Sequence, residues 1–230
     1  MFRKMVFSAV SVLAMATSAA HAADMKEFRV GILGGENETD RLRNYQCLAD
    51  HLKTEFGFEK VSLFPAADYD GVIQGLLGGT LDFAELGASG YASVYIKDPK
   101  AVTPILTTQQ TDGATGYYSI GLALKSSGIG DFKNGYTSGT FHKEVAKGAV
   151  DPNDFVEVWR SGLIPNGPLV VRTALGDDMT AKLTAFFTDL PKKDKACFEG
   201  VEGGDFTGYV PVKPDFYSVI VEARKAAIGG

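Results

Sequence analysis

The stretch Phe28-Arg-Val-Gly-Ile-Leu33 alternates in polarity and ends at Gly34-Gly35, which predicts a first β-strand followed by a turn. Working outward, apolar residues recur at helical spacing across Arg41–Phe56, and Val61–Phe64 has the composition of a second strand. The same alternation of strand and helix continues to Leu124. Strands that alternate with helices predict an α/β fold with a mainly parallel sheet flanked by helices.

The N-terminus has the three-part layout of a secretory signal. Arg3 and Lys4 precede an apolar run from Val6 to Ala16, and Ala20-His21-Ala22 is a small-x-small pattern suited to signal peptidase. The apolar run is too short for a permanent membrane anchor. We therefore expect residues 1–22 to be a signal peptide, cleaved near Ala22, and the mature chain to be exported to the periplasm.

The acidic composition bears on possible partners. Removing the two basic residues of the expected signal changes the net charge from −5 to −7. Nucleic-acid-binding proteins display a basic face, so no nucleic-acid partner is expected. A small anionic ligand remains compatible, because a pocket can collect dipoles and hydrogen-bond donors locally.

The chain has two cysteines, Cys47 and Cys197. Export permits a disulfide between them, but two buried thiols are an equally open alternative at this stage. The three histidines, His21, His51 and His142, show no metal-ligand spacing, so no metal site is expected.

The usual signatures of catalysis and of cofactor binding are missing from the sequence. Gly87-Ala-Ser-Gly90 does not have the spacing of a nucleophile elbow, and there is neither a G-x-G-x-x-G fingerprint nor a phosphate-binding lysine loop. Ser138 and His142 are close in sequence, but a triad is recognised by geometry rather than by adjacency. The interpretation is a protein that is not an enzyme and uses no cofactor.

Several separated blocks resemble the periplasmic phosphonate-binding proteins of ABC importers. These blocks occur in the family's order and are Phe64–Gly75, Leu81–Ala88, Gly116–Ser119, Trp159–Pro168 and Gly204–Pro211. The resemblance implies a periplasmic-binding-protein type II-like fold of two hinged lobes that close on a ligand. It also implies two partners, a small phosphorus oxyanion (phosphonate, phosphite or phosphate ester) and an ABC permease in the inner membrane.

The resemblance also predicts the domain organisation and one departure from the family. Residues 23–125 are expected to form the first part of lobe 1, 126–154 a remnant of the crossing and second lobe, and 155–230 the return part of lobe 1. The family's Ser-Thr-Ser-Gly helix start is not found, and Lys125-Ser-Ser-Gly-Ile129 runs directly into a segment that resembles the family's return. We therefore expect the second lobe to be truncated by an internal deletion.

Three residues are candidates for ligand binding. Tyr69 and Tyr117 align with family tyrosines that face the ligand, although each is also compatible with ordinary packing. Glu85 ends a strand beside a glycine loop, where it would pair with an ammonium group of the ligand or simply cap the next helix. Asp68 is predicted to be a helix cap. The resulting hypothesis is the solute-binding component of a phosphonate transporter. The alternative is a one-lobed remnant that folds but no longer binds or delivers ligand.

Overall fold

The computed structural model describes residues 25–33, 38–127, 135–203 and 205–229. The expected signal peptide at 1–22 lies outside these residues, as does most of the expected join, at 128–134. Within the described part of the chain, no helix combines the length and the apolar character needed to cross a bilayer.

The first half of the chain alternates strand and helix, as the hydrophobic pattern predicts. Its elements are β1 (Glu27–Leu33), α1 (Glu38–Phe56), β2 (Lys60–Ala66), α2 (Tyr69–Leu77), β3 (Phe83–Glu85), α3 (Ala88–Lys97) and β4 (Val102–Gln110). Asp68 is the N-cap of α2, and its carboxylate accepts a hydrogen bond from the backbone N–H of Gly71 at 3.0 Å. The prediction that Asp68 caps a helix is thus confirmed.

The second half of the chain begins with short strands, and three helices and one further strand follow. Its elements are β5 (Gly116–Tyr117), β6 (Ser119–Leu124), β7 (Gly135–Thr137), α4 (Ser138–Ala146), β8 (Phe155–Arg160), β9 (Ile164–Pro165), β10 (Pro168–Arg172), α5 (Asp177–Lys193), α6 (Lys195–Glu202), β11 (Phe206–Pro211) and α7 (Ser218–Gly229). Helix α6 and strand β11 were not predicted from the sequence.

The main sheet has six strands in the order β11-β4-β10-β3-β1-β2. Strands β1, β2 and β3 pair in parallel, whereas β10 is antiparallel to both β3 and β4, and β11 is antiparallel to β4. The prediction of a mainly parallel sheet is therefore wrong, because three of the five strand pairings described in this sheet are antiparallel. The sheet is mixed, because the returning chain inserts β10 between β3 and β4 in the opposite direction.

The two faces of the main sheet carry separate apolar cores. Phe83 faces the core that is covered by α1, α5 and α6, whereas Ala84, the next residue of β3, faces the core covered by α2, α3 and α7. Val170 and Val171 of β10 alternate in the same way. This alternation is the two-residue period of a strand buried on both faces.

A separate sheet of three strands has the order β7-β6-β8. Helix α4 belongs to this unit, since the rings of Phe141 and Phe155 meet edge to face at 5.8 Å. Strand β8 thus begins at Phe155 in the small sheet, and the chain rejoins the main sheet only at Pro168.

Candidate functional site

The candidate site lies where the chain leaves β3 and enters α3. Glu85 is the last residue of β3, and Gly87 is the N-cap of α3, with no side-chain capping bond from any described residue. The first N–H groups of a helix lack intrahelical partners and carry the positive end of the helix dipole, so this helix start favours an anion. The carboxyl ends of parallel strands are also the common ligand position in open α/β sheets.

Tyr69, the first residue of α2, covers this helix start. A Cβ built on Gly87 would lie 2.9 Å from the Tyr69 hydroxyl oxygen, and one built on Gly90 would lie 2.9 Å from Cδ1 of the same ring. Because these two glycines have no Cβ, the Tyr69 ring can pack directly against the first turn of α3. The Tyr69 side chain is still 47% exposed, so it is accessible to a ligand.

The structure brings two of the predicted residues, Glu85 and Tyr117, within electrostatic reach of the third, Tyr69. Burial raises the pKa of Tyr69, and Glu85 and Tyr117 raise it further, whereas the charge of Arg41 lowers it. Tyr117 comes from β5, on the segment that leaves the main sheet. Tyr69, Glu85 and Tyr117 thus belong to one cluster, although this clustering does not by itself test their role in binding.

Two residues of α1 that were not among the predicted site residues also belong to this cluster. The Arg41 guanidinium donates a hydrogen bond from Nε to the carbonyl oxygen of Leu33 at 3.0 Å and lies 5.7 Å from the Tyr45 ring centre. The Tyr45 hydroxyl donates to Glu85 at 3.3 Å. The available sequence signal was the spacing of four residues between Arg41 and Tyr45, just after the first strand. Arg41 supplies the site with a positive charge.

A second carboxyl lies close to Glu85. The Tyr209 hydroxyl of β11 donates a short hydrogen bond to Glu202, at the end of α6. Burial raises the pKa of Glu202 well above its ordinary value, and the charge of Glu85 raises it further. Burial likewise raises the pKa of Glu85, against the opposing effects of Arg41 and Tyr45. Burial thus opposes the ionisation of both carboxyl groups.

Two segments connect the main sheet to the small sheet beside this cluster. Strands β5 and β9 pair antiparallel through Gly116–Pro165 and Tyr117–Ile164. A Cβ built on Gly167 would lie 1.9 Å from the carbonyl oxygen of Leu86, so only glycine allows this close approach. The returning segment is therefore held directly against the loop that leads into α3.

The cysteines and one histidine meet elsewhere, between α1 and α6. Cys47 and Cys197 are joined in a disulfide, with their Cα atoms 5.8 Å apart. His51 Nε2 lies 2.9 Å from Asp194 Oδ2, and one ligand atom from each of His51, Asp194 and Cys197 falls within a group 4.8 Å across. The disulfide was one of the two alternatives that the sequence left open, whereas the approach of His51 and Asp194 was not predicted, because the packing of α6 on α1 brings together residues that are more than 140 positions apart.

A family model and a curated relative both match much of the chain. Residues 30–135 and 130–217 match the model described as the phosphonate periplasmic substrate-binding protein of an ABC transporter. The chain is 30% identical over 159 residues to the phosphate-import protein PhnD of Mycolicibacterium smegmatis, a match that covers 66% of this chain and 45% of that protein. The match spans less than half the length of the curated relatives.

Solved structures show the fold. XAC2383 from Xanthomonas citri, bound to chloride, superposes with a TM-score of 0.70 at 13% identity, covering 88% of this chain and 99% of that chain. PhnD1 from Prochlorococcus marinus, in complex with methylphosphonate, superposes with a TM-score of 0.67 at 10% identity, covering 89% and 98%. Both solved chains are covered almost completely, so these superpositions do not support the expected truncation of the second lobe.

Proposed function

Because this chain belongs to the family of periplasmic phosphonate-binding proteins of ABC transporters, we propose that it binds a phosphonate, phosphite or phosphate ester at the start of α3. Proteins of this family are binding components of transporters and are not enzymes. The observation that carries the proposal is Tyr69, which lies on Gly87 and Gly90 at a helix start with no side-chain cap among the described residues. Free N–H groups beside a phenol suit a phosphorus oxyanion.

Each residue of the cluster has a distinct proposed role. Tyr69 and Tyr117 donate hydrogen bonds to oxyanion oxygens or contact the carbon substituent, and Arg41 balances the negative charge of the ligand. Glu85 accepts from an ammonium group when the ligand has one. A charge-assisted hydrogen bond contributes roughly 1.5–3 kcal/mol, so two or three such contacts are needed for micromolar affinity together with the helix start.

The cellular setting of the proposal follows the family. We propose that residues 1–22 direct export and are removed near Ala22, and that the mature chain delivers its ligand to an ABC permease in the inner membrane. A curated relative is named a phosphate-import protein and a solved relative holds methylphosphonate. Those names support the ligand class for this chain and leave the choice among phosphorus oxyanions to experiment.

The proposed lobes follow from the two sheets. The main sheet forms lobe 1, and the smaller sheet, β7-β6-β8 with α4, forms a reduced lobe 2, with β5 and β9 between them. The family model matches in two segments that meet at residues 130–135, which supports a shortened lobe 2. The nearly complete coverage of the solved chains favours a limited reduction over loss of the whole lobe.

A thermal-shift experiment on the chain from Ala23 onward separates this proposal from the alternative of a remnant that folds without binding. The ligands are 2-aminoethylphosphonate, methylphosphonate, phosphite and phosphate, with sulfate as a control for general ionic stabilisation. A ligand that binds only the folded state stabilises it by about 2.7 kcal/mol at a hundred times its Kd. We expect a rise in Tm with at least one phosphorus ligand and none with sulfate. A cooperative transition that no phosphorus ligand moves would instead support the remnant.

A further inference from the structure

Four side chains with metal-binding chemistry converge between α1 and α6. Cys47 and His51 are four residues apart on α1, so they lie on the same face of that helix. Asp194 is the N-cap of α6, and its carboxylate accepts from the backbone N–H of Cys197 at 3.0 Å. The two helices thus contribute one sulfur each, together with one imidazole and one carboxylate.

The distances among three of these four residues, His51, Asp194 and Cys197, are close to those of a metal site. His51 Nε2 and Asp194 Oδ2 are 2.9 Å apart, and Cys197 Sγ joins them within 4.8 Å. Around Zn²⁺, ligand bonds of about 2.0–2.3 Å place neighbouring donor atoms roughly 3.3–3.8 Å apart. The histidine and the carboxylate therefore need to separate by only a few tenths of an ångström.

The surroundings provide access and a second carboxylate. A surface cavity of about 470 Å³ is lined by Cys47, His51 and Asp194, so the group can be reached from solvent. His51 Nδ1 lies 3.8 Å from Glu55 Oε1. Histidine ligands of metals commonly face a carboxylate through their second ring nitrogen, which fixes the tautomer that presents the other nitrogen to the metal.

We propose that Cys47, His51, Asp194 and Cys197 form a four-ligand site for a thiophilic divalent cation, Zn²⁺ first among them, which is available when the disulfide is reduced. A dithiol supplies two electrons and two protons, becomes a disulfide itself, and leaves Cys47 and Cys197 as thiols. Binding of the cation displaces the two thiol protons to solvent and uses the neutral imidazole of His51. Two thiolates, one imidazole and one carboxylate match the tetrahedral preference of zinc.

The tests use the chain from Ala23 onward, reduced with a trialkylphosphine that brings no competing thiolate, and Co²⁺ as a spectroscopic probe. We expect the reduced chain to bind one Co²⁺ with a thiolate-to-metal charge-transfer band that an equivalent of Zn²⁺ removes. The oxidised chain should show no such band. Absence of the band from the reduced chain, or an equal band from the oxidised chain, would overturn the proposal.

Two variants and a control assign the non-sulfur ligands. Asp194→Asn keeps a helix-capping side chain but removes the carboxylate, and His51→Asn removes the imidazole. Each should weaken Zn²⁺ binding by the reduced chain at least tenfold, whereas His142→Asn, at an exposed histidine of α4, should not. Unchanged Zn²⁺ affinity in both ligand variants would show that the two sulfurs bind the metal without His51 and Asp194, and would overturn the four-ligand site. If reduction unfolds the chain, Zn²⁺ should restore its circular-dichroism signal, and failure to do so counts against the proposal.

Discussion

The hydroxyl group of Tyr69 lies directly over Gly87, where an added Cβ would be only 2.9 Å from its oxygen. This contact places a phenol at the start of α3, which no side chain of the described residues caps. Residue 87 therefore has to be glycine for Tyr69 to occupy this position, and the relationship links a backbone feature to the proposed ligand contact.

Gly87→Ala tests that link. The methyl group would push the Tyr69 side chain away from α3, and because this side chain is half exposed it can move without much loss of stability. We expect ligand affinity to fall about tenfold, the effect of roughly 1.4 kcal/mol, with little change in Tm. Gly200→Ala in α6 is the matched control, since its Cβ would meet only an ordinary contact at 3.9 Å. Equal affinities of wild type and Gly87→Ala, measured by calorimetric titration, would show that Tyr69 does not contact the ligand.

Asp82, directly before β3, is a buried carboxylate that pairs with one arginine of β1 and one of β10. Its carboxylate accepts from Arg29 at 2.8 Å and 2.9 Å and from Arg172 at 2.8 Å, and it is fully buried. Breaking a buried ion pair costs about 3–5 kcal/mol, and both arginines are partly exposed, so Asp82→Ala should lower the free energy of unfolding by about 3 kcal/mol. Urea denaturation measures this change.

The control for Asp82→Ala is an exposed ion pair of similar length. Glu222→Gln removes the pairing of Glu222 with Lys225 at 2.8 Å on α7, which is expected to change the free energy of unfolding by less than about 1 kcal/mol. Similar effects of the two substitutions would contradict a structural role for the Asp82 pairing.

Reduction of the disulfide should destabilise the main lobe. Cys47 and Cys197 are 150 residues apart in sequence, so their bond greatly restricts the unfolded chain. Cross-links of this kind contribute about 2–5 kcal/mol, and Cys47→Ser with Cys197→Ser should lower the free energy of unfolding by that amount in metal-free buffer. An unchanged urea midpoint in this double variant would show that the disulfide contributes nothing to stability.

The partly buried carboxyl of Glu202 leads us to expect a pH dependence of stability. Because its pKa in the folded chain is raised well above 4.5, the folded state holds more protons than the unfolded state in the interval between the two pKa values. The free energy of unfolding should therefore fall as pH rises from about 4.5 through the folded pKa. Glu202→Gln should flatten this fall, whereas Glu199→Gln, exposed on the same helix, should not. Parallel urea titrations across this pH range measure both slopes, and identical slopes for wild type and Glu202→Gln would contradict the assignment.

The sequence predicted the elements whose signal is local. The alternation at Phe28–Leu33 and the helical spacing after Arg41 correctly indicated β1 and α1. The direction of β10 could not be predicted, because Pro168–Arg172 is apolar on both faces in either orientation. Helix α6 was missed because it is only eight residues long and follows α5 after a single residue.

The sequence predicted only those residues of the candidate site that lie in recognisable local blocks. Tyr69, Glu85 and Tyr117 lie in blocks that resemble the family. Arg41 and Glu202 instead reach the cluster through packing between α1, β3 and α6, and only the fold brings them together. The resemblance also led us to expect the loss of most of the second lobe, which the superpositions do not support, and a limited reduction of that lobe is what we propose instead.

The most direct test of the central claim is calorimetric titration of the mature chain with methylphosphonate and 2-aminoethylphosphonate, comparing wild type, Tyr69→Phe and the control Tyr95→Phe on α3. We predict a saturable heat for wild type and for Tyr95→Phe with at least one ligand. Affinity should fall about tenfold to a hundredfold in Tyr69→Phe, as loss of one charge-assisted hydrogen bond requires. A folded wild-type chain that gives no heat with either ligand, or affinities equal in all three proteins, would contradict the account.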